Sequence, residues 1–224
     1  MEQVWIPLLL SLKVAGWATA LNLVFGVAAA FGLSRWRSNA RDVIDSLLML
    51  PLVLPPTVLG YYLLVLLGRR GVIGAWLDRL DIQLVFTWQG AVIAATVVAF
   101  PLVLKSARAA FESVDPQLER AARTLGIGET AVFFRVSLPL AARGILAGGL
   151  LAFARALGEF GATLMIAGNL PGRTQTLSVA VYSAVQAGDD SSANLLVVVT
   201  SVTCVVILLL AGRLVPQHTL LSSR

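Results

Sequence analysis

The chain has a single cysteine, Cys204, and a single histidine, His218. One thiol makes no intrachain disulfide, and these two residues form no metal-ligand pattern. Charge is scarce too: only 13% of the 224 residues are Asp, Glu, Lys or Arg. No glycine-rich loop ending in Lys-Ser/Thr is present, so the chain carries no phosphate cradle for nucleotide hydrolysis. No Ser/His or Asp/Asp pairing falls within the apolar runs, which argues against an intramembrane hydrolase. No basic segment precedes the first apolar stretch, where Glu2 stands instead. A cleaved signal peptide is therefore not expected, and the first span should stay in the mature protein.

What is present is apolar surface. Hydrophobic residues make up 58% of the chain, and the mean hydropathy is +0.85. The net charge of +5 would suit a nucleic-acid partner. The basic residues are instead scattered through short connections between apolar runs, a distribution that follows membrane topology and argues for no nucleic acid. The expected fold class is an all-α integral membrane protein, one transmembrane domain over residues 1–224. About five transmembrane helices are expected, over 8–34, 46–68, 82–111, 140–168 and 191–213. Each is long enough, at ~1.5 Å per residue, to cross a hydrocarbon core of about 30 Å.

Loop charge sets the expected orientation. Arg35, Arg37 and Arg41 follow the first span, and Lys105, Arg108, Arg120, Arg123, Arg135 and Arg143 lie between the third and fourth. Arg213 and Arg224 follow the fifth. The other side holds Arg69, Arg70, Arg79 and Arg173, diluted by Asp78, Asp81, Asp189 and Asp190. Positive loops stay cytoplasmic, which places the N-terminus outside and the C-terminus inside. The apolar piece 177–185 is too short to cross and is expected as an outer interfacial or re-entrant helix.

Between the third and fourth spans lies 113–139, a polar interruption with a helical pattern. Leu118, Ala121, Ala122 and Leu125 fall at i, i+3, i+4 and i+7, one face of a helix. Asp115 is placed as N-cap, Pro116 as the first helical residue and Gly126 as the left-handed closing residue. A second short helix starts at Gly128 and is expected to end where Pro139 removes a backbone donor. Two short helices joined by a glycine turn read as a docking surface for another protein.

Two further clusters lie within the apolar runs. Pro51, Pro55 and Pro56 in the second span predict a bend, with freed carbonyls and Thr57 facing either a neighbouring helix or a cavity. Arg155 and Glu159, at i and i+4 in the fourth span, are placed to neutralise each other on one helix face. They form a structural pair, a gate or a contact for an anion; a charge inside a membrane helix is costly enough to need one of these reasons.

Glu119, Ala121, Ala122, Gly126 and the run Val136-Ser137-Leu138-Pro139 together resemble the EAA loop of ABC importer membrane subunits. Three residues separate Ala122 from Gly126, and nine separate Gly126 from Val136, as in that pattern. Two departures stand out. Arg120 occupies the pattern's glutamate position, with the acid one place earlier as Glu119, and Val136 replaces isoleucine. The segments Leu50–Gly60, Ser113–Pro139 and Arg155–Asp189 are similar to the molybdate permease branch, close to the sulfate permeases.

The resemblance implies an ATP-driven importer subunit in the bacterial cytoplasmic (inner) membrane, moving molybdate by alternating access. Sulfate, thiosulfate or tungstate are the alternative substrates, and a channel or secondary carrier is the remaining alternative. It implies no enzyme activity and no cofactor in this chain, with ATP and Mg bound by a partner ATPase. The implied partners are a second copy of the chain, two cytoplasmic ATPase subunits, an extracytoplasmic molybdate-binding protein and membrane lipid. The ATPase-coupling residues would be Glu119, Arg120, Ala121, Ala122, Gly126, Leu138 and Pro139. The translocation path or gate would involve Pro55, Pro56, Thr57, Arg155 and Glu159.

Overall fold

The computed structural model describes residues 2–36 and 40–214, with side chains over 4–210 of that range. The expectations that rest on Arg37, His218 and Arg224 lie outside the described residues, as does the side chain of Arg213. Among the described residues the fold is all-α, without strands.

Three long helices make the core: α1 (Glu2–Arg35), α5 (Trp88–Glu112) and α8 (Leu138–Leu157) pack pairwise on one another. Their buried positions are mostly small. On α5 these include Ala91, Ala94, Ala95, Ala99 and Ala107, a stripe that lets helix backbones approach closely. Gly148 of α8 is part of the same contact: a methyl there would lie 2.6 Å from Ser106 Cβ. In lipid, where burying apolar surface against apolar surface gains little, such close packing supplies much of the attraction.

Among the described residues four helices are long and apolar enough to cross a membrane: Val4–Arg35, Trp88–Glu112, Glu129–Leu157 and Asp190–Leu210. The second expected span is not one bent helix. It consists of α2 (Ala40–Val53) and α3 (Pro56–Leu67), which turn by 109° relative to each other; counted as one broken crossing they raise the total to five. The cause lies in Pro55 and Pro56. A residue before proline is pushed out of the α region, and Pro55 sits at φ −56°, ψ 135°, an extended conformation that stops one helix and starts the next. The short α4 (Val72–Asp78) follows, which the hydropathy pattern did not single out.

The third crossing starts at Trp88 rather than 82, with the Thr87 hydroxyl accepting from Gly90 N–H at 3.2 Å. The fourth also differs from expectation at both ends. Pro139 does not end the second short helix. The chain stays helical from Glu129 to Leu157, through α7 (Glu129–Val132) and a π-helical turn at Phe133–Ser137, where Leu138 N–H bonds to the Phe133 carbonyl. A π-turn of this kind absorbs a residue that the regular ladder cannot accommodate. At the far end α8 stops at Leu157, and α9 (Gly161–Ala167) begins after a break over 158–160.

The segment 177–185 forms a helix, α10 (Leu177–Gln186), packed on α11 (Asp190–Leu214) and on α1. Ser11 of α1 fixes its start: the Ser11 hydroxyl accepts from Leu177 N–H at 2.8 Å, a cap supplied across 166 residues.

Candidate functional site

The polar stretch folds as local chemistry dictates. In α6 (Pro116–Thr124), Asp115 accepts from Gln117 N–H at 2.8 Å and Pro116 opens the first turn. Gly126, at φ +80°, closes the helix. Its N–H bonds to Arg123 O at 2.9 Å, and Ile127 N–H bonds to Ala122 O at 3.2 Å. That pair of bonds is a Schellman closure, and the left-handed residue it needs is glycine.

The helix turns one acidic residue inward. Leu118 is 49% exposed and Leu125 is 79% exposed, and Ala121 is exposed beside them. Glu119 is only 3% exposed and Ala122 only 7%. Three of the four stripe residues therefore face out, unburied by this chain, while Ala122 and a carboxylate face in. Glu119 accepts from the Arg35 guanidinium at the end of α1 and from Ser137 Oγ at 2.7 Å, with Arg123 a further 3.7 Å away. Burial alone would raise the Glu119 carboxyl. The hydrogen bonds from Arg35 and Ser137 and the charges of Arg35 and Arg123 outweigh burial and hold it below the ordinary carboxylate range.

An aromatic cluster supports the same joint. Phe31, Phe111 and Phe133, from α1, α5 and the π-turn, meet with centroid separations of 4.5–6.1 Å, and Arg35 lies over the Phe31 ring at 5.0 Å. Stacked edge-to-face rings of this kind add directional packing. A second pair closes the outside: Arg123 grips Glu129 with Nε–Oε1 at 2.5 Å and Nη2–Oε2 at 3.1 Å.

These contacts correct one expectation. Glu119, expected among the ATPase-coupling residues at the surface of the unit, is instead buried, with three groups of its own chain around it. Arg120, in the slot one residue later, is exposed and makes only a 3.3 Å bond to Pro116 O. Leu138 is half-buried and Pro139 exposed, at the foot of α8.

The second candidate cluster comes together where the two broken helices meet. α3 and α9 pack against each other, and their first residues touch: a methyl on Gly161 would lie 3.1 Å from Pro56 Cβ and 3.2 Å from Thr57 N. Gly60 is tighter still, since a methyl there would lie 2.8 Å from Ala162 Cα. Arg155 pairs with Glu159 at 2.8 Å, but not along one continuous helix face. Glu159 stands in the break, 3% exposed, and its other oxygen accepts from Ala162 N–H at 2.8 Å. It is at once an ion-pair partner and the group that starts α9. Pro55, Pro56, Thr57 and Glu159 are thus neighbours of one junction, while the seven residues of the helix–turn–helix unit gather at the other end of α8.

The family described as binding-protein-dependent transport system inner membrane component matches residues 22–218. The chain belongs to this family. It is a multi-pass inner membrane protein of that group. The molybdenum transport system permease protein ModB of Escherichia coli (strain K12) is 47% identical over 209 residues, 92% of this chain and 91% of that protein. The putative molybdenum transport system permease protein YvgM of Bacillus subtilis (strain 168) is 43% identical over 193 residues, covering 86% and 85%. The fold is shared with the inward-facing MetNI methionine ABC transporter at TM-score 0.76 and 16% identity, covering 95% of this chain and 94% of the other. A bacterial alginate ABC transporter, solved in complex with an alginate-bound periplasmic protein, matches at TM-score 0.75 and 16% identity over 95% and 78%.

Within this permease, sequence reasoning missed Arg35 and Ser137, the partners of Glu119. Arg35 was visible only as one loop cation among several, and nothing in its neighbourhood marked a contact 84 residues away. Asn22 is fully buried on α1 with no hydrogen-bond partner for its amide among the described residues. Thr96 bonds to its own helix at Val92 O.

Proposed function

We propose that this permease is the membrane subunit of an ATP-driven importer of molybdate, working as a homodimer with two cytoplasmic ATPase subunits and an extracytoplasmic binding protein. The observation that carries the coupling role is the outward-turned face of α6. Leu118, Ala121, Arg120 and Leu125 stand free on a helix whose inner side is anchored by Glu119. A helix held this firmly, with its apolar side uncovered, suits a groove on a separate protein. The molybdenum assignment rests on the names of relatives at 43–47% identity over most of the chain.

The orientation follows the loop charges, N-terminus outside and C-terminus inside, so that 113–139 faces the cytoplasm. ATP and Mg bind the partner ATPase, and this chain holds no cofactor. Closure of the ATPase pair moves α6, and Glu119 carries that movement to α1 through Arg35 and to α8 through Ser137. The broken helices α3 and α9 then shift at the junction of Thr57, Gly161 and Glu159, opening the path to one side or the other. Breaks at membrane depth are tolerated where they are buried in protein or line a cavity, which suits a moving junction.

The test is reconstitution with the ATPase in proteoliposomes. ATP hydrolysis should rise on adding molybdate-loaded binding protein, with molybdate accumulating inside. A rise with sulfate-loaded protein and none with molybdate-loaded protein would move the substrate to sulfate. Accumulation without ATP would instead make the chain a carrier or channel.

A further inference from the structure

The membrane boundary opposite the helix–turn–helix unit carries a cationic pocket that neither cluster above accounts for. Lys13 lies in α1, 22 residues before Arg35. At ~1.5 Å per residue this places it about 33 Å along the helix, one bilayer core away from the Glu119 joint. It lines a pocket with Trp88 and Gln89 of α5 and Arg173 and Thr174 of the loop before α10.

The pocket is built. The Lys13 ammonium sits 3.6 Å from the centre of the Trp88 ring, which fixes its position without neutralising it. Arg173 rides on a tight turn: Arg173 N–H and Thr174 N–H both bond to Leu170 O, at 3.0 and 2.9 Å, and the Thr174 hydroxyl accepts from Leu170 N–H at 3.1 Å. Neither cation has a carboxylate partner among the described residues, and no Asp or Glu lines the pocket. Asp189, on a neighbouring loop, is taken up by Ser192 N–H at 3.0 Å at the start of α11.

We infer that Lys13 and Arg173 form an entry site for a tetrahedral oxyanion dianion, the cargo itself, as it leaves the binding protein. The inference rests on the import function proposed above. Two cations from separate elements, with Gln89 as an additional donor and no acceptor of negative sign, match a dianion and reject a cation. The guanidinium fork suits a tetrahedral oxyanion. Both side chains are exposed, so the attraction is screened and the ion is held weakly enough to move on.

The experiment measures ions imported per ATP hydrolysed in proteoliposomes carrying the full complex with molybdate-loaded binding protein. Lys13→Gln combined with Arg173→Gln should lower that ratio about five- to tenfold, the Coulombic contribution of two screened cations to a dianion. Lys13→Arg with Arg173→Lys should keep it, and the ATPase should co-purify with both variants. An unchanged ratio in the Gln variant overturns the inference. So does a loss of stimulation by the binding protein at unchanged ratio, which would assign the pair to protein docking. A fall confined to phosphatidylglycerol vesicles and missing in phosphatidylcholine would assign the pocket to a lipid phosphate, and also overturns it. Failure of the wild-type complex to import molybdate would refute the proposed function instead.

Discussion

Replacing Glu119 by alanine tests whether the buried carboxylate anchors α6. The structure allows the loss to be worked out piece by piece. Ser137, 1% exposed, would keep a hydroxyl with its acceptor gone, which costs about 1–3 kcal/mol for a buried unsatisfied group. The Arg35 side chain is 41% exposed and rehydrates, so its share of the pair is discounted to at most about 1 kcal/mol. Removing the carboxylate also relieves its own desolvation, which offsets part of the loss. The net expectation is about 2 kcal/mol, or about 30-fold more frequent opening of the unit. Amide hydrogen exchange on peptides covering 116–137, measured in nanodiscs, reads this directly. Glu119→Gln, which keeps the oxygen acceptor but loses the charge, should fall between wild type and alanine. The pH dependence has a definite sign. Because the folded carboxyl titrates below its ordinary value, its stabilisation is full above the unfolded value of about 4.3 and is lost as pH falls through the folded one. Opening should thus be flat from pH 8 to about 5 once intrinsic exchange is corrected for, and rise below. Exchange in Glu119→Ala that matches wild type would show that α6 is held by packing alone.

Three further outcomes follow from particular contacts. Gly126→Val places a β-branched residue at φ +80° in open space, so the cost is conformational, about 1–2 kcal/mol; uptake should drop while membrane insertion, checked by fractionation, stays normal. Gly60→Val drives a side chain into backbone 2.8 Å away and should separate α3 from α9, abolishing transport, whereas Gly128→Ala, with nothing within 4 Å, should transport normally. The exchange Arg155→Glu with Glu159→Arg restores the ion pair on paper yet should not restore uptake, because arginine at 159 has no oxygen to accept the Ala162 N–H; rescue to near wild-type uptake would show that charge neutralisation was all the pair supplied.

How far the sequence could be read depended on the range of the interaction. Asp115, Pro116 and Gly126 act on neighbours two to five residues away, and their helix appeared where capping chemistry put it. Four of the five expected spans reappear as helices long and apolar enough to cross, and the remaining one as the bent pair α2 and α3. The breaks were harder to see. Hydropathy stays high across Pro55–Pro56 and across Gly158–Phe160, so a span-length window sees one helix in each place. The Pro-Pro step was legible as a bend, but a 109° turn follows only once Pro56 is seen to force Pro55 into an extended conformation. Glu159 was read as half of an i, i+4 pair, a reading that presumes the helix it interrupts.

Glu119 is the more instructive case. An apolar stripe on a short helix is ordinarily taken to mark the side that meets the chain's own core. Here Leu118, Ala121 and Leu125 of the stripe meet nothing in this chain, and the buried side holds the carboxylate together with Ala122. The inversion has a physical condition: a charged group can face inward only where it finds compensating donors, and Arg35, Ser137 and Arg123 supply them. Those donors come from α1, from the π-turn and from α6 itself, three elements that no sequence window spans. A polar residue anchored this way holds α6 to the transmembrane core without using up its apolar face, and so leaves that face for another protein. The departure of the acid from its expected slot is then a consistent arrangement: position 119 faces the core and takes the carboxylate, and position 120 faces out and carries a free cation.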